Sequence, residues 1–485
     1  MRIVCDVSTT LAWTRPAVGI VRTEQKFVRF LLDRPDLEVV FCRFDRSSRQ
    51  YVEVCRDLVL AGLVRDPAVR VEGGEHANRN AAPPAPRALR LRIRAWAAGL
   101  TRRGIGHLPD VLQPDATLIA RSTDQLIRSV YWLGLKAGHA VQPGRLLEDT
   151  RSGGGNGRGP IEAEAEAAAA AVDFQASDVY VSMGLDWDYN DLTVLWECKR
   201  TQGFRTLLFC YDVIPVSYPQ LMASDCRDFF AAYFVNLAHV ADHVVTISQA
   251  TLNECLAFLA EIGAPTPPMS VVHLGTEVQE GAERDVLAPP RPELTREPFV
   301  LCVGTIEARK NHELLYHLWD RLIARHGERI PHLVLVGMVG WGVQDLLARL
   351  RINPRLSARV FVLDCVTDEE LLWLYRHCRF SVFPSFCEGW GLPVVESMAL
   401  GKVCIVSTAP ALLEASQGLV PAIDPLDFGA WFAVVERYVL DPETLAQTEA
   451  KVRDCYAPMS WRRHGEEMLR VIHGLEGTEA CASSI

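Results

Sequence analysis

The sequence predicts an α/β protein of two doubly wound, Rossmann-like parallel-sheet lobes facing across a cleft. Three observations carry that expectation. From residue 298 onward, short continuous apolar runs alternate with stretches of helical period, the pattern of a parallel sheet covered on both faces. The first half repeats the alternation with more interruption. Between the halves, the charged and Pro-rich "QEGAERDVLAPPRPELTREP" reads as a linker. The expected order is a first lobe over 1–280, a linker over 281–297, a second lobe over 298–456, a terminal helix over 457–474 and a tail over 475–485.

In the first half, "RIVCDV", "LEVVFCRF", "DVYVSMG", "TLLFCYDVIP", "HVVTIS" and "MSVVHLG" read as strands, with helices expected over 20–32, 190–202, 226–241 and 248–262. In the second half the strands are "FVLCVGT", "HLVLVG", "RVFVL", "FSVFPS" and "VCIVS", and the intervening segments carry apolar residues at helical spacing. Two insertions, about 66–110 and 140–172, fit neither lobe. The second holds the Gly-rich and then Ala/Glu-rich "RSGGGNGRGPIEAEAEAAAAAV". The first includes "RALRLRIRAWAAGLTRRG", 87–104, with six arginines. That stretch reads equally as a basic amphipathic helix touching anionic lipid and as a helix packed on its own lobe.

At 485 residues the chain exceeds the usual size of one hydrophobic core. A formal net charge of −10 argues against a general nucleic-acid binder. No apolar run approaches the length that spans a bilayer, and "MRIVCDVSTT" reads as a strand and not as a secretory signal. The expectation is a cytoplasmic protein whose contact with the inner membrane face, if it has one, is peripheral and runs through 87–104. The fourteen cysteines contain no C-x-x-C pair. They are expected to be small buried hydrophobes in a reducing compartment, not metal ligands.

The stretch "FPSFCEGWGLPVVESMALG", 383–401, concentrates the chemistry. Two glutamates, Glu388 and Glu396, bracket a turn holding Gly389, Gly391 and Pro393 where an apolar strand becomes a helix. Glycines let a ligand approach bare backbone. Pro393 suits the first helical position, which puts Glu396 in the first turn. The free N–H groups of that helix start favour phosphate. A carboxylate, acceptor-only, suits paired sugar hydroxyls. A ligand with both phosphate and sugar is a nucleotide sugar. In "VGTIEARKNHELL", Arg309 and Lys310 precede a helix for which Asn311 is the expected N-cap. Two cations there can neutralise a departing diphosphate. Alone the pair is a weak signal, since surface Arg-Lys pairs are common. With the glutamate turn in the same lobe it becomes strong.

These segments, with "VTDEELLWLYRHCRFSVFPS" and "STAPALLEAS", resemble the retaining glycosyltransferases of family 4, glycosyl transferases group 1, which have the GT-B fold. The resemblance is dense from about 298 to 442 and thinner in "AVGIVRTE", "YDVIPVSYPQ" and "VVTISQATLNE". It implies that Glu396 holds the nucleotide ribose and Glu388 the transferred sugar. Arg309 and Lys310 hold the diphosphate with backbone N–H groups of Gly391 and Leu392. Backbone around Leu363 and Val366 faces the base. Gly19 lets the first loop pass close to phosphates or acceptor, and Asp212 reaches the reacting centre from the first lobe. The terminal helix is implied to cross back onto that lobe. Thr305 stands where many relatives have arginine, Cys365 where they often have an aromatic residue, and one glycine where they have a pair.

The resemblance implies a hexosyltransferase, mannosyl among the candidate units, that moves sugar from a nucleoside-diphosphate donor to a saccharide or lipid-linked acceptor. Surface-polysaccharide assembly is the setting by analogy. It implies no cofactor and no metal; "DWD", 186–188, is a weak match to a metal motif, at the end of a first-lobe strand. The alternatives are an inactive GT-B scaffold or another GT-B enzyme such as an epimerase. A nicotinamide dehydrogenase is disfavoured because no G-x-G-x-x-G follows a strand. Other readings stay open in the sequence. Asp212 is equally a turn cap, Arg22 and Glu24 read as a surface pair, and Trp187 and Tyr189 read as buried before they read as an acceptor platform. His273 and Ser248 fall at strand ends bordering the cleft.

Overall fold

A computed structural model describes residues 1–14, 19–64, 170–223, 226–276 and 289–475. The stretch 87–104, most of both expected insertions, residues 277–288 of the linker region and the tail from 476 lie outside the described residues.

The first sheet has the order β3-β2-β1-β4-β5-β6-β7, with β1 Ile3–Asp6, β2 Val39–Asp45, β3 Gln50–Val54, β4 Val179–Ser182, β5 Arg205–Cys210, β6 His243–Thr246 and β7 Met269–Val271. Its ladders are parallel except that β3 runs antiparallel to β2, with Phe44 opposite Tyr51. β1 and β4 are buried on both faces, as a central parallel strand requires. β3, like the two-residue β13, Ala422–Ile423, of the second sheet, is a strand that the sequence does not announce. Its short run "QYVEV" exposes Gln50 and Glu53 and buries Tyr51, Val52 and Val54 at the sheet edge, and its far side is covered by Val172, whose N–H bonds the Tyr51 carbonyl.

The second sheet is entirely parallel, in the order β10-β9-β8-β11-β12-β13, with β8 Phe299–Val303, β9 His332–Val336, β10 Val360–Leu363, β11 Ser381–Phe383, β12 Cys404–Ser407 and β13 Ala422–Ile423. In both sheets the first strand lies inside the sheet with later strands on either side of it. This order reversal places a crevice at the carboxyl ends of the strands.

The helices that set the site are α1 Ser8–Ala12, α2 Gly19–Leu32, α3 Asp186–Tyr189, α4 Gln249–Glu261, α5 His312–His326, α6 Asp368–His377, α7 Leu392–Ala399, α8 Pro410–Ala415 and α9 Trp461–Gly474. α9 sends Met468, Leu469 and Ile472 into the first-lobe core. A Cβ on Gly465 would lie 2.5 Å from the Phe30 ring, so α2 and α9 touch at a contact only glycine permits. Trp390, Val395 and Ala415 of the second lobe join the same core. Among the described residues, no helix is long and apolar enough to cross a membrane.

Candidate active site

α7 begins where β11 has delivered the chain to the crevice. Gly391 caps it at φ 108°, a conformation that other residues rarely adopt, and a Cβ there would sit 2.6 Å from Leu412. Its requirement for glycine is therefore packing as well as backbone. Pro393 is the second helical residue, not the first, and Glu396 lies one residue deeper than expected, at the fifth position. The N–H groups of the first turn have no intrahelical acceptor, which leaves the Leu392 amide for a ligand or solvent.

Four expected residues converge. Glu388 Oε1 is 2.6 Å from Lys310 Nζ, and its Oε2 is 2.8 Å from Arg309 Nη1. Arg309 also donates to the Cys387 carbonyl at 2.9 Å, and its Nη2 forms a 2.8 Å ion pair with Glu307. Asp212 faces this group from the first lobe, its Oδ1 capping the Ile214 amide at 3.0 Å. Asp212 thus caps the turn, as one of its two sequence readings has it, and does so beside the other expected site residues. Burial works against every charge here. It pushes Glu388 up, yet Arg309 and Lys310 override it and hold the carboxyl at about 2. Burial lowers Lys310 in spite of Glu388, and raises Asp212 in spite of Arg309. The cations expected to hold a diphosphate are thus already paired, both with the carboxylate expected to hold the sugar and Arg309 with Glu307 as well.

Asn311 does not cap α5 through its side chain. It sits in the left-handed region at φ 57°, from where its amide donates to the carbonyls of Pro384 and Pro425. It fastens the Arg-Lys turn to two neighbouring loops.

Gly389 is where the lobes meet. Its carbonyl accepts from Ser248 Oγ at 2.7 Å and Thr251 Oγ1 at 3.2 Å. Its Cα faces the Tyr211 carbonyl so closely that a side chain has no room. Next to it, His273 stacks on Trp390 at 4.6 Å and bonds Glu414 at 2.7 Å. Glu414 in turn accepts the first amides of α4 from Gln249 and Ala250. His273 and Ser248 do border the cleft, and both reach across it.

Glu396 belongs to a separate cluster. Its Oε1 is 2.6 Å from Arg22 Nη1 of α2, and its Oε2 accepts from the Tyr375 hydroxyl at 2.8 Å. This overturns the surface pair read for Arg22 and Glu24. Arg22 crosses to the second lobe, and Glu24 is 1% exposed, with its carboxylate on the Thr10 amide. The α2 period puts the two on different faces. Gly19 opens α2 at φ 50° with nothing near its Cβ position. Leu363 ends β10 with its side chain in the core and its carbonyl accepting from the Gly337 amide. Val366 lies half-buried in the loop before α6. The "DWD" carboxylates diverge on α3: Asp186 is buried against Ser182 at 2.5 Å, while Asp188 is exposed. Trp187 packs edge-on against Phe230 and Tyr233.

Sequence reasoning passed over Glu307, Tyr375, Glu414 and the partner of Arg22. Glu307 and Glu414 lie inside stretches that carried the family resemblance. Arg22 and Tyr375 needed the third dimension.

Three comparisons bear on the chain. Residues 284–447 match the family model of glycosyl transferases group 1. The serotype-specific mannosyltransferase WbdA of Escherichia coli is 26% identical over 54% of this chain and 34% of its own length. The O-antigen chain mannosyltransferase B of Escherichia coli is 34% identical over 28% of this chain and 36% of its own length. The chain spans about a third of the length of these curated relatives. A sucrose-phosphate synthase from Thermosynechococcus elongatus superposes with a TM-score of 0.53 at 17% identity, over 98% of this chain and 99% of that one. That likeness is one of fold, and the fold is GT-B.

Proposed function

We propose that this chain, whose residues 284–447 match the glycosyl transferases group 1, carries out a retaining, metal-independent transfer of a hexosyl unit, mannosyl first among them, from a nucleoside-diphosphate sugar to a saccharide or lipid-linked acceptor. The observation that carries this reading is the convergence of Arg309, Lys310 and Glu388 at the start of α7, opposite Asp212 of the other lobe. The two mannosyltransferase relatives support the sugar and a place in surface-polysaccharide assembly.

In the proposed reaction the C1–oxygen bond to the diphosphate breaks and the electron pair leaves with the phosphate. Lys310 and Arg309 stabilise the growing negative charge, a role for which buried, fixed cations are suited. The acceptor hydroxyl bonds to C1 on the same face, and its proton passes to the departing phosphate oxygen. Glu388 must first exchange Lys310 for the donor: the ammonium turns to phosphate and the carboxylate to the sugar hydroxyls. Glu396 holds the ribose.

The test is thermal unfolding with UDP, GDP, ADP and dTDP in EDTA, for wild type and Lys310→Ala. Ligand at about a hundred times Kd stabilises by roughly 2.7 kcal/mol. One nucleotide should raise the wild-type midpoint and fail with Lys310→Ala. If none acts at millimolar concentration, the transferase reading falls and an inactive scaffold replaces it.

A further inference from the structure

Arg22 lies on the first lobe, yet its closest ionic partner is the second-lobe carboxylate Glu396, 374 residues away in sequence. The pair is mostly buried, with side-chain exposures of 22% and 17%, and Asp368 adds a second carboxylate 3.8 Å from the guanidinium. Burial works against the Arg22 charge, and Glu396 and Asp368 more than offset it, so the guanidinium stays cationic in place. Its backbone is fixed. α2 is pressed against α9 at the Phe30–Gly465 contact and sends Val21, Phe27, Val28 and Leu31 into the core.

The geometry is that of a carboxylate being held, not of one being blocked. Each oxygen of Glu396 receives one donor, Arg22 on Oε1 and Tyr375 on Oε2. A carboxylate offers about four lone-pair sites, so one acceptor site remains on each oxygen. Two acceptors on one planar group match two neighbouring hydroxyls. A cavity of about 440 Å³ opens beside this pair, lined by Arg22, Lys26 and Arg29 from α2 and by Asp368, Tyr375 and Glu396 from the second lobe. That is ample for a nucleoside.

We propose that Arg22 is a positioning residue for Glu396: the first lobe, through this one guanidinium, sets the orientation of the carboxylate that reads the donor's ribose, so ribose recognition is complete only when the lobes are together. The proposal rests on Glu396 being the ribose carboxylate. Arg22 acts through Glu396 and touches no reacting atom.

The experiment compares Kd values for GDP and 2′-deoxy-GDP, and for UDP and 2′-deoxy-UDP, in wild type, Arg22→Gln, Arg22→Lys and Glu396→Gln, with unfolding midpoints recorded without nucleotide. Wild type should prefer the ribonucleotide of its own base by on the order of tenfold or more, the worth of a hydrogen bond to a charged group. Arg22→Gln should bring that ratio close to one by weakening the ribonucleotide alone, and Arg22→Lys should restore part of it. If Arg22→Gln does not fold, the Arg22→Lys comparison carries the test, and an undiminished ratio there overturns the proposal. A wild-type ratio in folded Arg22→Gln overturns it as well. Tighter ribonucleotide binding in that variant also overturns it, since Arg22 is then a block on the site. If wild type binds nucleotide with no preference and Glu396→Gln is equally silent, the ribose assignment itself fails and takes this proposal with it. If wild type binds no nucleotide, the proposed function fails first.

Discussion

Lys310 and Glu388 face each other at 2.6 Å, the ammonium expected to meet phosphate bonded to the carboxylate expected to meet sugar. Each keeps the other paired, and the proposed donor would have to part them. Glu388→Ala should therefore have two opposite effects. Leaving Lys310 and Arg309 without that carboxylate should destabilise the fold by roughly 3–5 kcal/mol, as for other broken buried pairs. The freed cations should bind nucleoside diphosphate more tightly while sugar transfer is lost. Urea unfolding and nucleotide titration on the same variant check both.

Three buried first-lobe carboxyls should lose their stabilising effect as pH rises from about 4 to about 8, while His312 and His464, which burial pushes down to about 4, act in the opposite sense below about 6.5. Asp6, Glu24 and Asp186 are buried together in the first lobe, with no cation beside them among the described residues. Burial, helped for Asp6 and Glu24 by their acidic neighbours, pushes them up to about 7, 8 and 6. A carboxyl that holds its proton more firmly folded than unfolded stabilises the fold fully below its unfolded pKa. That contribution is lost as pH climbs through the folded value. Urea midpoints should decline from pH 6.5 to 8.5, where the histidines are neutral in both states, and Glu24→Gln should flatten that decline. Glu388 acts in the opposite sense at the acid end. Its lowered pKa of about 2 contributes stability above its unfolded value, lost as pH falls toward 2.

Gly389→Ala should separate binding from transfer. The new methyl would press on the Tyr211 carbonyl and come 3.1 Å from the Asp212 Cβ. The second lobe must then back away from Ser248. Transfer to acceptor should collapse, while nucleotide affinity should fall by no more than the roughly tenfold that loosening Arg22 from Glu396 removes. An equal loss of both would place Gly389 in the nucleotide site instead.

Glu414→Ala should weaken the interface through a helix cap. Glu414 accepts the Gln249 and Ala250 amides from the other lobe, so α4 is capped across the cleft. A lost cap costs about 1 kcal/mol. His273→Ala should add little to Glu414→Ala, because the two residues bond each other. A double-mutant cycle in urea measures the overlap.

Much of this was legible in the chain. β8 to β12 fall within a residue or two of their apolar runs, because strands buried on both faces need unbroken apolar sequence. α2, α4 and the helix Cys226–Val240 follow from period alone. The Gly-Pro turn and the Arg-Lys turn stand at strand ends because both are loop chemistry. What escaped was whatever depends on a distant partner. Val172 covering β3 lies more than a hundred residues beyond it. Glu24 reads as a surface acid because helical period does not say which lobe or helix closes over it. Arg22 pairs across the cleft, which no local pattern encodes. Asn311 looks like a cap by residue type, but its left-handed backbone sends the amide elsewhere.

α9 fills the first lobe with Met468, Leu469 and Ile472 and lies against Phe30 through Gly465. On a ribosome, where domains otherwise fold as units with the N-terminal one first, this lobe would leave the exit tunnel early with part of its interior still unmade. It would wait with an apolar groove open while the whole second lobe is synthesised and folds. The half of the molecule that is translated first is thus the half that is finished last, and a chaperone that shields nascent chains would find its binding surface along α2.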